Sequence, residues 1–283
     1  MDLFDPRYRP WFIGAETSPK DIIFLIDYSG SVKGQTLHLT KITIRHVLMT
    51  LNPYDYFTAV NENFTFIQIS ALNVTFDRFS KNFEKTNDKR EKLKQNLGDV
   101  EGSGGHKIVL LFTDGIENWP TEVIEKYINE NPNDAIRVFG FSMGYGTGAM
   151  PALDHSTCLS KGAYAIVDSI MDVRLQSKSY VTKLSDILAL VYNEKPLTER
   201  PITFVVPYMD VQGSGALISI SMPILNKMEN ATSGFLAIAG VDISFSQLRE
   251  ILPTNNHLYS FIIDMNGIVF FHPKLRIPDS IMD

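Results

Sequence analysis

The chain has 283 residues, with 26 Lys and Arg against 32 Asp and Glu, a formal net charge of −6; 44% of residues are hydrophobic and 20% charged. This composition excludes a long disordered polymer, and the mild acidity excludes a general nucleic-acid binder, which carries a basic stripe. No uninterrupted apolar run approaches the roughly 18 residues of a membrane-spanning helix, and a chain of this length buries a core without a disulfide framework.

Residues 1–20 are short on periodicity and rich in turn formers, Pro6, Pro10 and Pro19. The opening MDLFDPRYRPW has no apolar signal-peptide core, so an extracellular role is expected only of a fragment of a longer protein. Ile22 to Ile26 then form a continuous apolar run, as in a central strand covered on both faces, and the run ends at Asp27. After the polar turn YSGS, Ile44, Val47, Leu48 and Leu51 recur at helical spacing. DYFTAV (55–60) and FTFIQIS (64–70) read as two strands joined by a tight Asn-containing turn. Residues 78–97 read as a charged helix with a solvated face, and 98–106 as a flexible loop.

KIVLLFTDG repeats the first pattern, an apolar strand over 108–112 running into Thr113, Asp114 and Gly115. A helix is expected over 121–128, strands over 136–142 and 163–167, and a closing helix over 181–192. Strands alternating with helices predict an α/β fold with a doubly wound, mostly parallel sheet. Beyond Pro196 the texture becomes hairpin-like: TFVVPYM, ALISISMPI, GFLAIAGVDIS and YSFIIDMNGIVFFH, with one helix over 246–252. Residues 264–267 are a hairpin turn signal. This half predicts a separate α+β domain built on antiparallel strands.

Ligands of open α/β sheets sit beyond the carboxyl ends of the strands. Asp27 and Asp114 are expected at two such ends, with Ser29 and Ser31 on the turn that leaves the first. All are hard oxygen donors, suited to Mg²⁺ or Ca²⁺ and poorly suited to Zn²⁺. A lone D-x-S-x-S also reads as a helix cap; the second strand ending in T-D-G favours the metal reading. The six histidines show no metal-ligand spacing, and GYGTG (144–148) reads as a turn rather than a phosphate cradle. Three N-x-[ST] sequons, at Asn63, Asn73 and Asn230, are glycosylation acceptors if the chain is secreted. The single cysteine, Cys158, cannot form an internal disulfide; it reads either as a small buried hydrophobe or as half of a bridge to another segment.

DYSGS with a downstream FTDG resembles the metal-ion-dependent adhesion site of von Willebrand factor A domains. The flanks DPRYRPWFIGAETSPKDIIFLIDYSGSVKGQTL, KIVLLFTDG, STCLSKGAY, ISMPI and MNGIVFFHPKL resemble the alpha-2/delta auxiliary subunits of voltage-gated calcium channels over nearly the whole chain. In that family an A domain is inserted into a Cache domain. The resemblance therefore implies 1–18 as the end of the first Cache part, 19–195 as the A-like domain, and 196–283 as an incomplete second, PAS-like Cache part. It implies Asp27, Ser29, Ser31 and Asp114 as ligands of a divalent cation that the pore-forming subunit completes. The family's middle Thr ligand has no counterpart in LGDVEGSGGHK, where Ser103 is the sole hydroxyl, and one helix and metal loop of the family pattern are absent near 95–107.

The resemblance further implies an amino-acid pocket. Arg9, before Pro10 and Trp11, would grip a carboxylate with two parallel hydrogen bonds. Trp11 would form a wall, and Tyr208, Asp210 and Asp242 would match the remaining positions; the residues alone equally allow a structural Arg9–Asp242 ion pair. By the same resemblance Cys158 pairs with a segment outside this chain. The implied setting is the extracellular face of the plasma membrane, with attachment through a C-terminal region outside it. The expected role is non-catalytic. An alternative, a Mg²⁺-dependent phosphohydrolase with Asp27 as nucleophile, is disfavoured because Ser29 stands where such enzymes place a second acid. A further alternative is an extracellular amino-acid sensor acting through the Cache half.

Overall fold

The computed structural model describes residues 7, 9–17, 19–29, 32–52, 55–62, 105–115, 121–130, 136–144, 150–192, 202–205, 207–210, 215–225, 235–255, 257–263, 267 and 269–275. The chain divides into two units, 1–16 with 186–283, and 17–185. Helix α1 (Pro10–Glu16) belongs to the first of these and is taken up below.

In residues 17–185, strands β1 (Lys20–Asp27), β2 (Tyr56–Glu62), β3 (His106–Thr113), β4 (Arg137–Met143) and β5 (Tyr164–Val167) form one sheet in the order β2-β1-β3-β4-β5. Every pairing is parallel. The central strands are buried almost throughout, because both faces are covered. Period-two alternation sorts their side chains. Ile23, Leu25, Val109, Leu111 and Val138 pack with Ile124 of α3 (Thr121–Glu130) and Leu153 of α4 (Pro151–Leu159). Ile22, Phe24, Ile108, Leu110, Phe112, Phe139 and Phe141 pack instead with α2 (Gln35–Leu48), with Val173 of α5 (Ile170–Gln176), and with Tyr180, Val181 and Leu184 of α6 (Ser179–Tyr192). The doubly wound parallel sheet expected from the sequence is therefore present. Gly140 lets α4 approach β4, since a Cβ there would lie 2.7 Å from Leu153 Cδ1.

Three helices, α1, α4 and α5, were not expected. Pro10 and Pro151 open two of them, where a missing N–H costs nothing and φ is preset. Ser169 and Asp172 form a reciprocal capping box at the start of α5, a signal present in the sequence. Of the expected apolar stripe, Ile44, Val47 and Leu51 pack against the core and Leu48 is exposed, while Leu39, Thr40 and Thr43 of α2 are buried as well. The threonines bury without an unmet donor, because Thr40 Oγ1 and Thr43 Oγ1 donate to the carbonyls of Thr36 and Leu39, each at 2.9 Å. The expected strand over 64–70, the charged helix over 78–97, the shortened loop with Ser103 as far as residue 104, GYGTG apart from Gly144, and the turn over 264–267 apart from Gly267 lie outside the described residues.

The amino-terminal edge of this sheet carries a buried polar cluster. Lys20 Nζ lies 2.6 Å from Asp55 Oδ2, both side chains being fully buried. His106, opposite Lys20 in the ladder, contacts Arg137 Nη1 through Nδ1 at 3.1 Å. Burial, then Arg137, then Lys20 hold the His106 imidazole down from the usual 6.5 to about 4. His106 is thus neutral when folded and takes up its proton more readily when unfolded. Its stabilisation is complete above about pH 6.5 and is lost as pH falls toward 4. Urea unfolding at pH 7 and at pH 4.5 should show a His106-dependent loss of roughly 1–2 kcal/mol, allowing for the group's partial exposure. His106→Gln should flatten that slope; a slope unchanged by the substitution refutes it.

In residues 1–16 and 186–283, β8 (Ala216–Leu225) is the organising strand. It pairs antiparallel with β6 (Thr203–Phe204), β7 (Tyr208–Met209) and β9 (Phe235–Ser244). Helix α1 lies against β8, tied by Ser221 Oγ donating to the Trp11 carbonyl at 2.8 Å and Thr203 Oγ1 donating to the Gly14 carbonyl at 3.1 Å. Ile218 packs in a second cluster with Phe245 and Leu248 of α7 (Phe245–Ile251). Phe270 and Phe271 of the hairpin β10 (Ile262–Ile263) and β11 (Val269–Phe271) complete that cluster. This antiparallel α+β arrangement is likewise the expected one.

Candidate functional site

Strand order reverses between β1 and β3, since β1 leads outward to β2 and the chain then returns to β3. Ligands of doubly wound sheets bind beyond the carboxyl ends at such a point. Asp27 ends β1, and Asp114 follows the last residue of β3. The parallel register pairs Ile26 with Phe112, so the two acids leave neighbouring strand ends.

Asp27 is 1% exposed. Its Oδ1 accepts the Ser29 backbone N–H at 2.8 Å, and its Oδ2 accepts the Thr113 hydroxyl at 2.8 Å. Thr113 Oγ1 in turn accepts the Gly115 N–H at 3.2 Å, which fixes the turn carrying Asp114. Among the described residues no basic side chain lies within ion-pair distance of Asp27. The contrast with Asp55 at the opposite edge is direct: that buried carboxylate has a lysine. A carboxylate out of water with two neutral donors and no counter-charge is costly. Each of its oxygens retains acceptor capacity. Asp27, Ser29 and Asp114 are all hard oxygen donors, so the residues present fit a divalent cation.

Asp114 is half-buried at the same edge. Ser31 lies outside the described residues. Among those described, no three His, Cys, Asp or Glu side chains form a metal-holding group, so the candidate centre consists of two acids with hydroxyls. Thr113 was missed as a site residue; the signal was a hydroxyl closing an otherwise apolar strand immediately before the acid.

A second polar cluster lies on the face of β8 under α1. Ser219 and Asp242 are direct cross-strand partners. The Ser219 hydroxyl, fully buried, donates to Asp242 Oδ1 and contacts the Tyr208 hydroxyl at 3.0 Å. Tyr208 is held above its usual range by burial first, with Asp242 and Asp210 adding to the rise and the Ser219 bond and Arg9 opposing it. Asp242, Asp210 and Arg9 therefore each lie within electrostatic reach of Tyr208. The Trp11 ring stands over Gly240, where an added Cβ would sit 3.8 Å from Trp11 Cε3. Four of the expected residues thus meet at Tyr208, Trp11 stands over Gly240, two residues before Asp242, and Ser219, between Tyr208 and Asp242, was missed. Two serines alternating with apolar residues in ALISISMPI, Ser219 and Ser221, were the available signal.

Asn63, Asn73 and Asn230 lie outside the described residues. Cys158 corrects one reading. It is exposed rather than a small buried hydrophobe, because α4 turns Leu153, Ser156 and Thr157 inward and leaves position 158 outside.

The chain is thus defined by a doubly wound α/β unit with paired acids at its switch point and an antiparallel α+β unit with a polar cluster beneath a short helix. No family model matches it. It is 28% identical over 306 residues to the human voltage-dependent calcium channel subunit alpha-2/delta-2, covering 98% of this chain and 26% of that protein. Human alpha-2/delta-3 is also 28% identical, covering 97% and 28%. The voltage-dependent calcium channel unc-36 of Caenorhabditis elegans is 21% identical, covering 98% and 30%. The similarity to alpha-2/delta subunits implied by the motifs therefore extends over nearly the whole chain, which spans about a quarter of the length of the curated relatives it matches. Among solved structures, an aerotolerance-related membrane protein from Bacteroides fragilis matches at 12% identity and TM-score 0.36, over 58% of this chain and 98% of that one, too loosely to carry an argument. No helix among the described residues is long and apolar enough to cross a membrane.

Proposed function

We propose that the chain is part of a non-catalytic auxiliary subunit of a voltage-gated calcium channel, with residues 19–195 as an A-type domain inserted into a Cache domain formed by 1–18 and 196–283. Asp27, Ser29, Ser31 and Asp114 hold Mg²⁺ or Ca²⁺. The open position on that ion accepts a carboxylate of the pore-forming subunit at the extracellular face of the plasma membrane, and the contact supports trafficking and gating. The observation that carries the reading is the buried, uncompensated Asp27 at the switch point. The relatives' names favour the channel as partner. A phosphohydrolase reading is weaker, because Ser29 stands where the second acid belongs and its N–H is spent on Asp27.

The test is co-precipitation with the pore-forming subunit in Mg²⁺ and in EDTA. Asp27→Ala is expected to lower association in Mg²⁺ to the level of the wild-type protein in EDTA, a loss of about tenfold or more. Undiminished association of the variant would falsify the reading.

A second function is favoured by the other cluster: binding of a small amino acid. Arg9 supplies a two-pronged donor for a carboxylate, Trp11 a wall, and Asp210, Asp242 and Tyr208 acceptors for an ammonium.

A further inference from the structure

We propose that Ser219 is the specificity-determining residue of this second cluster, fixing Tyr208 and Asp242 as acceptors so that the site selects a primary ammonium over a hydroxyl. This rests on the amino-acid reading just given. A serine hydroxyl has a single hydrogen. Here it goes to Asp242 Oδ1, since a carboxylate can only accept. The bond between Ser219 and Tyr208 must then run the other way, with the phenol donating. The relay Tyr208 to Ser219 to Asp242 uses up both hydroxyl hydrogens.

Tyr208 is left with lone pairs alone toward any ligand, and among the described residues Asp242 Oδ2 has no hydrogen-bond partner. Asp242 sits at the exposed edge of the cluster, so that oxygen is open to a ligand. The serine cannot rotate its hydrogen away without leaving Asp242 Oδ1 unmet, and it is fully buried on the central strand. An ammonium, with three donors and a positive charge, matches this acceptor-only surface. A hydroxyl offers one donor, and its oxygen lone pairs face the Tyr208 and Asp242 oxygens. Sites built on hydrogen bonds reject the analogue that cannot complete them far more strongly than apolar sites reject a methyl.

The test compares, by calorimetry on the whole chain, L-leucine with its hydroxy analogue, L-2-hydroxy-4-methylpentanoate. The wild-type protein should prefer leucine by about 100-fold or more. In Ser219→Ala the Tyr208 hydrogen is released to donate to the ligand hydroxyl, and the preference should narrow by about tenfold. Ser219→Thr, which keeps the hydroxyl, should restore the wild-type ratio. A merely structural serine would weaken both ligands alike and leave the ratio unchanged; that result in folded Ser219→Ala protein overturns the proposal while sparing the pocket. Absence of heat with either ligand in folded wild-type protein overturns the pocket and the proposal together. Loss of leucine binding in Arg9→Ala marks the pocket as real whatever Ser219 does.

Discussion

Lys20→Met is expected to destabilise residues 17–185 by about 3–5 kcal/mol, measured by urea unfolding at pH 7. The ammonium is fully buried, 2.6 Å from Asp55 Oδ2 and 3.1 Å from Thr17 Oγ1. Asp55 also accepts the backbone N–H groups of Lys20 and Asn52, at 3.0 and 2.7 Å. It therefore anchors the start of β1 and the turn into β2 at once. Methionine fills the volume of the lysine stem but leaves that carboxylate charged, dry and unmatched. The cost thus arises from the stranded partner more than from the lost pair. Lys20→Met combined with Asp55→Asn should recover most of the loss, because the amide still accepts one N–H and carries no charge. A double variant no more stable than Lys20→Met alone would show that the destabilisation comes from packing instead.

Asp27→Asn should behave in the opposite way. In EDTA the variant is expected to match the wild-type protein or exceed it by up to about 2 kcal/mol, since an amide at this position removes a desolvated charge that has no basic partner among the described residues. Its carbonyl can still accept the Ser29 N–H. Its NH₂ can donate to Thr113 Oγ1, whose own hydrogen then turns to the Gly115 carbonyl, 3.2 Å away. With Mg²⁺ or Ca²⁺ at about 100 times the dissociation constant, the wild-type protein should gain about 2.7 kcal/mol and the variant nothing. Thermal unfolding with and without the ion reads both effects. A variant that is less stable in EDTA, yet still stabilised by the cation, would mean that Asp27 is a structural capping residue.

The two buried aspartates show what the sequence could and could not convey. The apolar runs of β1, β3 and β4 made a two-sided parallel sheet legible, and the acids closing β1 and following β3 fell at strand ends because charge terminates an apolar run. Nothing in the string distinguishes Asp55, neutralised by a lysine 35 positions away, from Asp27, which is not; that difference exists only once β1 and β2 are paired. Ser219 stayed hidden for a similar reason. Its partners come from β7 and β9, and cross-strand register is a property of the assembled sheet. The short helices were missed where Pro reads as a breaker in isolation but as a first-turn residue once a helix follows. The buried reading of Cys158 failed because burial of a cysteine depends on which side of α4 it occupies, and nine residues of weak apolar periodicity do not set that side.

The most direct measurement is anomalous diffraction from crystals of the chain grown with Mn²⁺, a hard cation standing in for Mg²⁺ or Ca²⁺. The expected result is one peak beyond the carboxyl ends of β1 and β3, within about 2.0–2.6 Å of oxygens of Asp27 and the serine turn, with Asp114 reaching it directly or through one water. A peak held by neither aspartate, or the two carboxyl groups turned beyond reach of a common ion, would contradict it.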